Sequence, residues 1–156
     1  MESIKVFLDT DVLINWLSKE EDPNTGEKLW EAPYKILKAI ESGKIFGMTT
    51  LLNFMEILFV LRRKKRWKDN EIVKKTKAIH SMANFDIFIP TQEDIILGYN
   101  IQMLLEFDPF DSIYYAVGKR YANHIITRDS AFIKNISTVE KRGFALTPEE
   151  FLESFY

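Results

Sequence analysis

Four acidic residues, Asp9, Glu56, Asp111 and Asp129, carry the chemistry this chain has to offer. Asp9 ends the apolar run "IKVFLD", and Asp129 ends "HIITRD". Glu56 lies in "LLNFMEILFVL", where only Asn53 and Glu56 are polar, and their spacing puts both on one helical face. A carboxylate on such a helix is costly unless it is paired or metal-bound. Asp111 lies in "FDPFDSIYYA", where Asp108 before Pro109 has the better claim to cap the helix. Each acid also has an ordinary role open to it. Asp9 and Asp129 suit helix N-caps, Asp111 suits a first turn where negative charge is favoured, and Glu56 can pair with a distant cation. Brought into one crevice, the four could not all stay ionised without a cation. An all-oxygen donor set suits Mg²⁺ or Mn²⁺, which orients and acidifies a water and neutralises charge on a phosphodiester. Thr10 and Thr127 adjoin this set and can orient water or a phosphate, or serve equally as turn hydroxyls. His80 and His124 are the only histidines, are far apart in sequence, and read as structural or surface residues, which argues against a Ser/His/Asp triad.

The elements that must position these acids alternate along the chain. Apolar runs "IKVFLD", "KIFGMT", "FDIFIP", "HIITRD" and the short "FAL" read as strands. Between them "VLINWLS", "LWEAPYKILKAIESG", "LLNFMEILFVLRRKKR", "DNEIVKKTKAIHSM", "TQEDIILGYNIQMLLEF" and "DPFDSIYYAVGKRYA" read as helices, and "TPEEFLESF" closes the chain. Thr49 or Thr50 caps the long third helix, and Thr147 caps the last with Pro148 at its first position. The chain is therefore expected to be a single α/β domain over residues 1–156, a mostly parallel sheet of about five short strands flanked by helices. In such sheets sites form beyond the carboxyl ends of the strands, where the strand order switches. Asp11 is expected to open the helix "VLINWLS". Asp11 and Asp108 are read as caps or as an acidic rim rather than as ligands.

The composition narrows the class. The chain has 156 residues, 46% hydrophobic and 28% charged, with no cysteine, so disulfides, thiol catalysis and cysteine metal sites are excluded. The start "MESIKVFLDT" lacks a basic region and cleavage site, and no apolar run reaches membrane-spanning length, so a cytoplasmic protein without membrane association is expected. The net charge is −2, but "RRKKRWK", Arg62 to Lys68, holds six of the 21 basic residues. One basic block on an acidic body suggests a local anionic partner, or else a solvated helix end. Trp67 within it could stack on an unpaired base.

The segments "FLDTDVLI", "NFMEILFVL", "PFDSIYYAVGKRYA" and "IITRDSAF" together resemble the PIN domain, a ribonuclease family that includes VapC-type toxins. The family's order of Asp, Glu, Asp, Asp falls here on Asp9, Glu56, Asp111 and Asp129, which the resemblance makes catalytic and metal-binding. It implies a Mg²⁺- or Mn²⁺-dependent endoribonuclease acting on RNA, a parallel sheet flanked by helices, frequent homodimers, and, in toxins, a small antitoxin partner. With RNA as the partner, Arg62, Arg63 and Lys64 become candidate phosphate contacts. The loop around Asp22 to Gly26 is long for the smallest members.

Two rivals remain open at this level. "VFLDTDV" resembles the first motif of haloacid-dehalogenase-like phosphatases, but Val12 and Leu13 stand where Gly-Thr usually follows, and Glu56 would have no role. A PIN-like fold kept as a non-catalytic RNA- or protein-binding module is the other, and the presence of all four acids argues against it.

Overall fold

Val6, Phe7 and Leu8, consecutive in β1 (Lys5–Leu8), are all fully buried. A strand apolar on both faces must be covered on both sides, as in parallel sheets of α/β domains. That is the arrangement found in the computed structural model, which describes residues 3–155. The remaining strands are β2 (Phe46–Thr50), β3 (Phe85–Phe88), β4 (His124–Ile126) and β5 (Ala145–Leu146). They form one five-stranded sheet in the order β3-β2-β1-β4-β5, and every pairing is parallel. Val6 lies opposite Gly47 on one side and His124 on the other. The order runs outward from β1 in both directions, so a switch point lies between β1 and β4, with a crevice at their carboxyl ends.

The helices are α1 (Thr10–Ser18), α2 (Glu31–Glu41), α3 (Leu51–Phe59), α4 (Asp69–His80), α5 (Gln92–Leu104), α6 (Pro109–Tyr121), α7 (Ser130–Ser137) and α8 (Pro148–Phe155). Their starts are written locally. Thr50 and Asn53 form a reciprocal capping box on α3, as Thr91 and Asp94 do on α5. Asp108 caps α6 with Pro109 at its first position, and the Thr147 hydroxyl accepts the Glu150 N–H on α8. The sheet separates two apolar layers. Val6 and Leu8 pack with Leu13, Ile36, Ile40, Ile57 and Phe151 on one side. Phe7 faces the other way, onto Met48, Tyr114, Val117, Ile125 and Phe132. Gly118 lets α6 sit directly on β4, because a Cβ there would lie 2.5 Å from the Ile125 side chain.

Three expectations need correction. α1 begins at Thr10, with Asp9 rather than Asp11 as its N-cap, because the Asp9 carboxylate is the one that reaches the first free N–H. The long third helix does not run on regularly. After Phe59 it widens into a π-helical turn, Val60–Lys64, with Lys65 N–H bonded to the Val60 carbonyl. The apolar run around Glu56 is also not wholly buried, since Leu51, Met55 and Phe59 form an exposed stripe on α3. No helix among the described residues is long and apolar enough to cross a membrane. Met1 and Glu2, part of the leader reading, lie outside the described residues.

Candidate active site

Beyond β1 the chain turns straight into α1, so Asp9 sits at the switch point with three donors around its carboxylate. Oδ1 accepts the Thr10 N–H at 2.8 Å and the Asn53 amide at 3.3 Å, and Oδ2 accepts the Thr127 hydroxyl at 2.8 Å. Asn53 is held in turn by the α3 capping box, where its Oδ1 accepts the Thr50 hydroxyl at 2.7 Å. The same Asn53 amide donates to Thr10 Oγ1 at 3.0 Å, and Thr10 donates to Glu56 Oε1 at 3.4 Å. The Tyr114 hydroxyl also donates to Glu56 Oε1. Thr10 and Thr127 thus do touch the acids, as bridges between the β1, α3 and β4 ends.

All four expected acids line one open cleft of about 370 Å³, together with Thr10, Asp11, Asp108, Tyr114, Glu20 and Lys64. Asp111, on the first turn of α6, donates its N–H to Asp108 Oδ1 at 2.8 Å, and its own carboxylate faces the cleft. Asp129 keeps both roles open to it: it caps α7 through the Phe132 N–H at 3.1 Å and lines the cleft. Asp11 is a fifth carboxylate of the cleft. Its Oδ2 accepts the Arg128 N–H at 3.0 Å, and its Oδ1 is buried without a hydrogen-bond partner. Asp108 is the helix cap the sequence suggested and adds a sixth charge at the rim.

The electrostatics follow from the crowding. Burial, and then the neighbouring Asp11, raise Asp9 well above the usual carboxylate range, against the pull of its Thr127 and Thr10 hydrogen bonds. Burial raises Asp11 to about 6 despite the Arg128 N–H. Asp111 is pushed up to about 7 by burial and then by Asp108, Asp129 and Glu56. Burial and the carboxylate of Glu56 hold the Tyr114 phenol firmly protonated, so its proton stays available to donate to Glu56. The site concentrates negative charge it cannot neutralise alone, which is the condition a bound cation relieves.

The donor chemistry fits a hard divalent ion: oxygen only, several carboxylates, and one buried carboxylate oxygen with nothing to bond. Among the described residues no group of three His, Asp or Glu side chains already stands at ligating distance. Glu56, Asp9 and Asp129 are each turned to a protein donor instead. His124 lies away from the cleft, its Nδ1 against the Gly143 carbonyl at 2.8 Å and its ring on Phe155.

The basic block divides by environment. Lys64, on the π-helical turn, lines the cleft. Lys65 is bound to Glu20 at 2.6 Å, Arg62 lies 3.9 Å from Asp69, and Arg63 is exposed. Trp67 is half-buried against the core, which leaves less of its ring to offer a base. Sequence reasoning passed over Tyr114 and Arg128. Tyr114 stands three residues after Asp111 on α6, so helical spacing alone would have found it. Arg128 carried no signal beyond its place between Thr127 and Asp129.

The PIN domain model matches residues 6–136. No curated protein matches the chain. Among solved structures, a toxin–antitoxin complex from Klebsiella pneumoniae aligns at 17% identity with a TM-score of 0.63, over 92% of this chain and 97% of that one. The sarcin–ricin loop cleaving toxin VapC20 of Mycobacterium tuberculosis aligns at 17% identity and TM-score 0.60, over 81% and 92%. VapBC2 of Rickettsia felis, bound to a DNA fragment from its promoter, gives 12% identity and 0.60, over 85% and 93%. At these identities the solved structures speak for the fold, and the family match over most of the chain speaks for descent. The motifs, the sheet order and the acidic cleft agree with that match, and the chain belongs to the PIN domain family.

Proposed function

We propose that the protein is a Mg²⁺- or Mn²⁺-dependent endoribonuclease and the toxin of a toxin–antitoxin pair. The observation that carries this reading is the convergence of Asp9, Glu56, Asp111 and Asp129, from four separate elements, on one cleft at the switch point of a parallel sheet. Of the solved structures that share the fold, one is a toxin–antitoxin complex and another is a sarcin–ricin loop cleaving toxin. The phosphatase alternative falls with the family assignment.

In this reading Asp9, Glu56, Asp111 and Asp129 would hold one or two divalent ions, some through water. The ion supplies an activated water and charge neutralisation at the phosphodiester. The chain's own groups do the rest. Thr127 and Asn53 orient Asp9, and Thr10 and Tyr114 hold Oε1 of Glu56, which lines the cleft. Lys64 stands on the cleft wall where it can meet a phosphate oxygen. The test is cleavage of a structured RNA in Mn²⁺ by the wild type and by Asp9→Asn. A non-catalytic module would neither cleave RNA nor need to bind Mn²⁺, which calorimetry measures directly.

Arg62, Arg63 and Lys64 are assigned to RNA. Reversing all three charges is expected to weaken binding at low salt. The slope of log affinity against log salt should drop by about 2, the value for three lost phosphate contacts on a single strand. An unchanged slope returns the block to a solvated helix end.

A homodimer belongs to the same proposal. From Ile95 to Leu105 the chain carries no charge, and Tyr99, Met103 and Leu104 are exposed on α5. A contiguous apolar patch of this kind marks protein contact, and the same uncharged face on two copies is self-complementary. Met103→Lys is expected to convert the dimer to a monomer by light scattering without unfolding it, since the side chain is 72% exposed.

A further inference from the structure

Arg128 sits between Thr127, which bonds Asp9, and Asp129, which lines the cleft, and its own side chain does not line that cleft. The guanidinium meets Glu149 in a two-pronged pair, Nη1 to Oε2 at 3.0 Å and Nη2 to Oε1 at 2.8 Å. Nη2 also donates to the Leu29 carbonyl at 2.7 Å, and Nε to Asn15 Oδ1. The side chain is 19% exposed. Paired arginine–carboxylate bonds of this kind fix orientation as well as distance. One side chain therefore ties together four stretches far apart in sequence: the β4–α7 turn, α1, the segment before α2, and the first turn of α8.

The turn so anchored touches three acids of the cleft. Thr127 donates to Asp9, the Arg128 N–H donates to Asp11, and Asp129 is the next residue. Asn15 stands on the same helix that Asp9, Thr10 and Asp11 open, so Arg128 bonds α1 at its start through the backbone and further along through the side chain. Asn15 continues the network, donating to Glu20 Oε1 at 3.0 Å, and Glu20, which lines the cleft, is bound to Lys65 of the basic block. The family match ends at residue 136, so Glu149, which closes the clamp, lies beyond it.

We propose that Arg128 is a positioning residue for cation binding, and that Glu149 on α8 holds it in place. Through this clamp a helix that never enters the cleft sets the distance between the Asp9 side and the Asp129 side. The proposal rests on the reading of the cleft as a cation site.

The experiment is Mn²⁺ calorimetry, with thermal melts, on wild type, Arg128→Lys, Glu149→Ala and Phe151→Leu. Lysine keeps the charge but cannot form the fork. Phe151 is a fully buried α8 core residue with no bond to the clamp, so its truncation destabilises the same helix without loosening the turn. Arg128→Lys and Glu149→Ala are expected to bind Mn²⁺ about 10–100-fold more weakly, the usual cost of losing a group that orients a metal ligand. Phe151→Leu is expected to melt earlier and bind as wild type does. Wild-type affinity in Glu149→Ala overturns the proposal. So does a loss in Phe151→Leu in proportion to its loss of stability, since the clamp would then be holding the fold and nothing more. A wild type that binds no Mn²⁺ overturns the cation reading itself and this proposal with it.

Discussion

Asp9→Asn is expected to lower Mn²⁺-dependent RNA cleavage by about a thousandfold or more, some 4 kcal/mol of lost transition-state stabilisation. The protein is expected to stay folded. The two side chains have the same shape, and each hydrogen bond has a plausible substitute. Asparagine Oδ1 can still accept the Thr10 N–H, and its amide can donate to the Thr127 hydroxyl that now donates to Oδ2. What disappears is a buried charge that raises the strain on its neighbours, so the metal-free variant should melt no earlier than wild type. A catalytic loss without a stability loss separates a functional acid from a structural cap. Undiminished cleavage by the variant would remove Asp9 from the reaction and the present assignment of the cleft with it.

The second large effect is on stability against pH. Asp9, Asp11 and Asp111 are all raised in the folded protein, Asp11 to about 6 and Asp111 to about 7. A raised carboxylate is stabilising, relative to its charged form, below its unfolded value near 3.8, and that contribution is lost as pH rises through the folded value. The metal-free protein should therefore lose stability progressively between about pH 4 and 7, from the unfolded value up through the folded values of Asp11 and Asp111. His124 works in the opposite direction, because burial lowers it and its neutral form is the one that fits. The clean readout is thus a difference between two melting curves. Wild type should lose about 2–4 °C more than Asp111→Asn over this range, or ~1 kcal/mol once screening of a half-exposed group is allowed for. Saturating Mn²⁺ should reverse the wild-type slope, since the cation binds the ionised carboxylates. Parallel curves for the two proteins without metal would mean that Asp111 does not feel the other acids.

The strands and most helix ends were legible because their signals are local. Apolar runs gave the strands, Asp108 and Thr147 announced the helices they cap, and the Thr49–Thr50 pair announced the third helix, which Thr50 caps. The acids were legible as strand ends and as an outlier on an apolar helix. The place of Asp11 was not, because its partner is the backbone of Arg128, more than a hundred residues away. A cap and a cleft residue two positions apart look alike until that contact exists. The π-helical turn was hidden for a related reason. The same apolar pattern reads well as an α-helix, and nothing local in it marks the wider turn, in and after which Leu61 and Trp67 pack on the core. The exposed stripe of Leu51, Met55 and Phe59 shows the limit of reading burial from composition, since an apolar side chain can face outward as easily as inward.

The sheet order also constrains how the protein is made. β1, the first strand synthesised, lies at the centre and pairs with β4, whose partner residues are more than a hundred positions later. A nascent chain holding only α1 to α6 has Asp9, Glu56 and Asp111 but neither Thr127 nor Asp129, and the clamp waits further for Glu149. Such pairings close late and slowly, because the ends of a long loop must meet before any contact rewards them. Translation thus finishes most of the sheet before the cleft can exist, and the growing chain passes most of its synthesis with the acids unassembled.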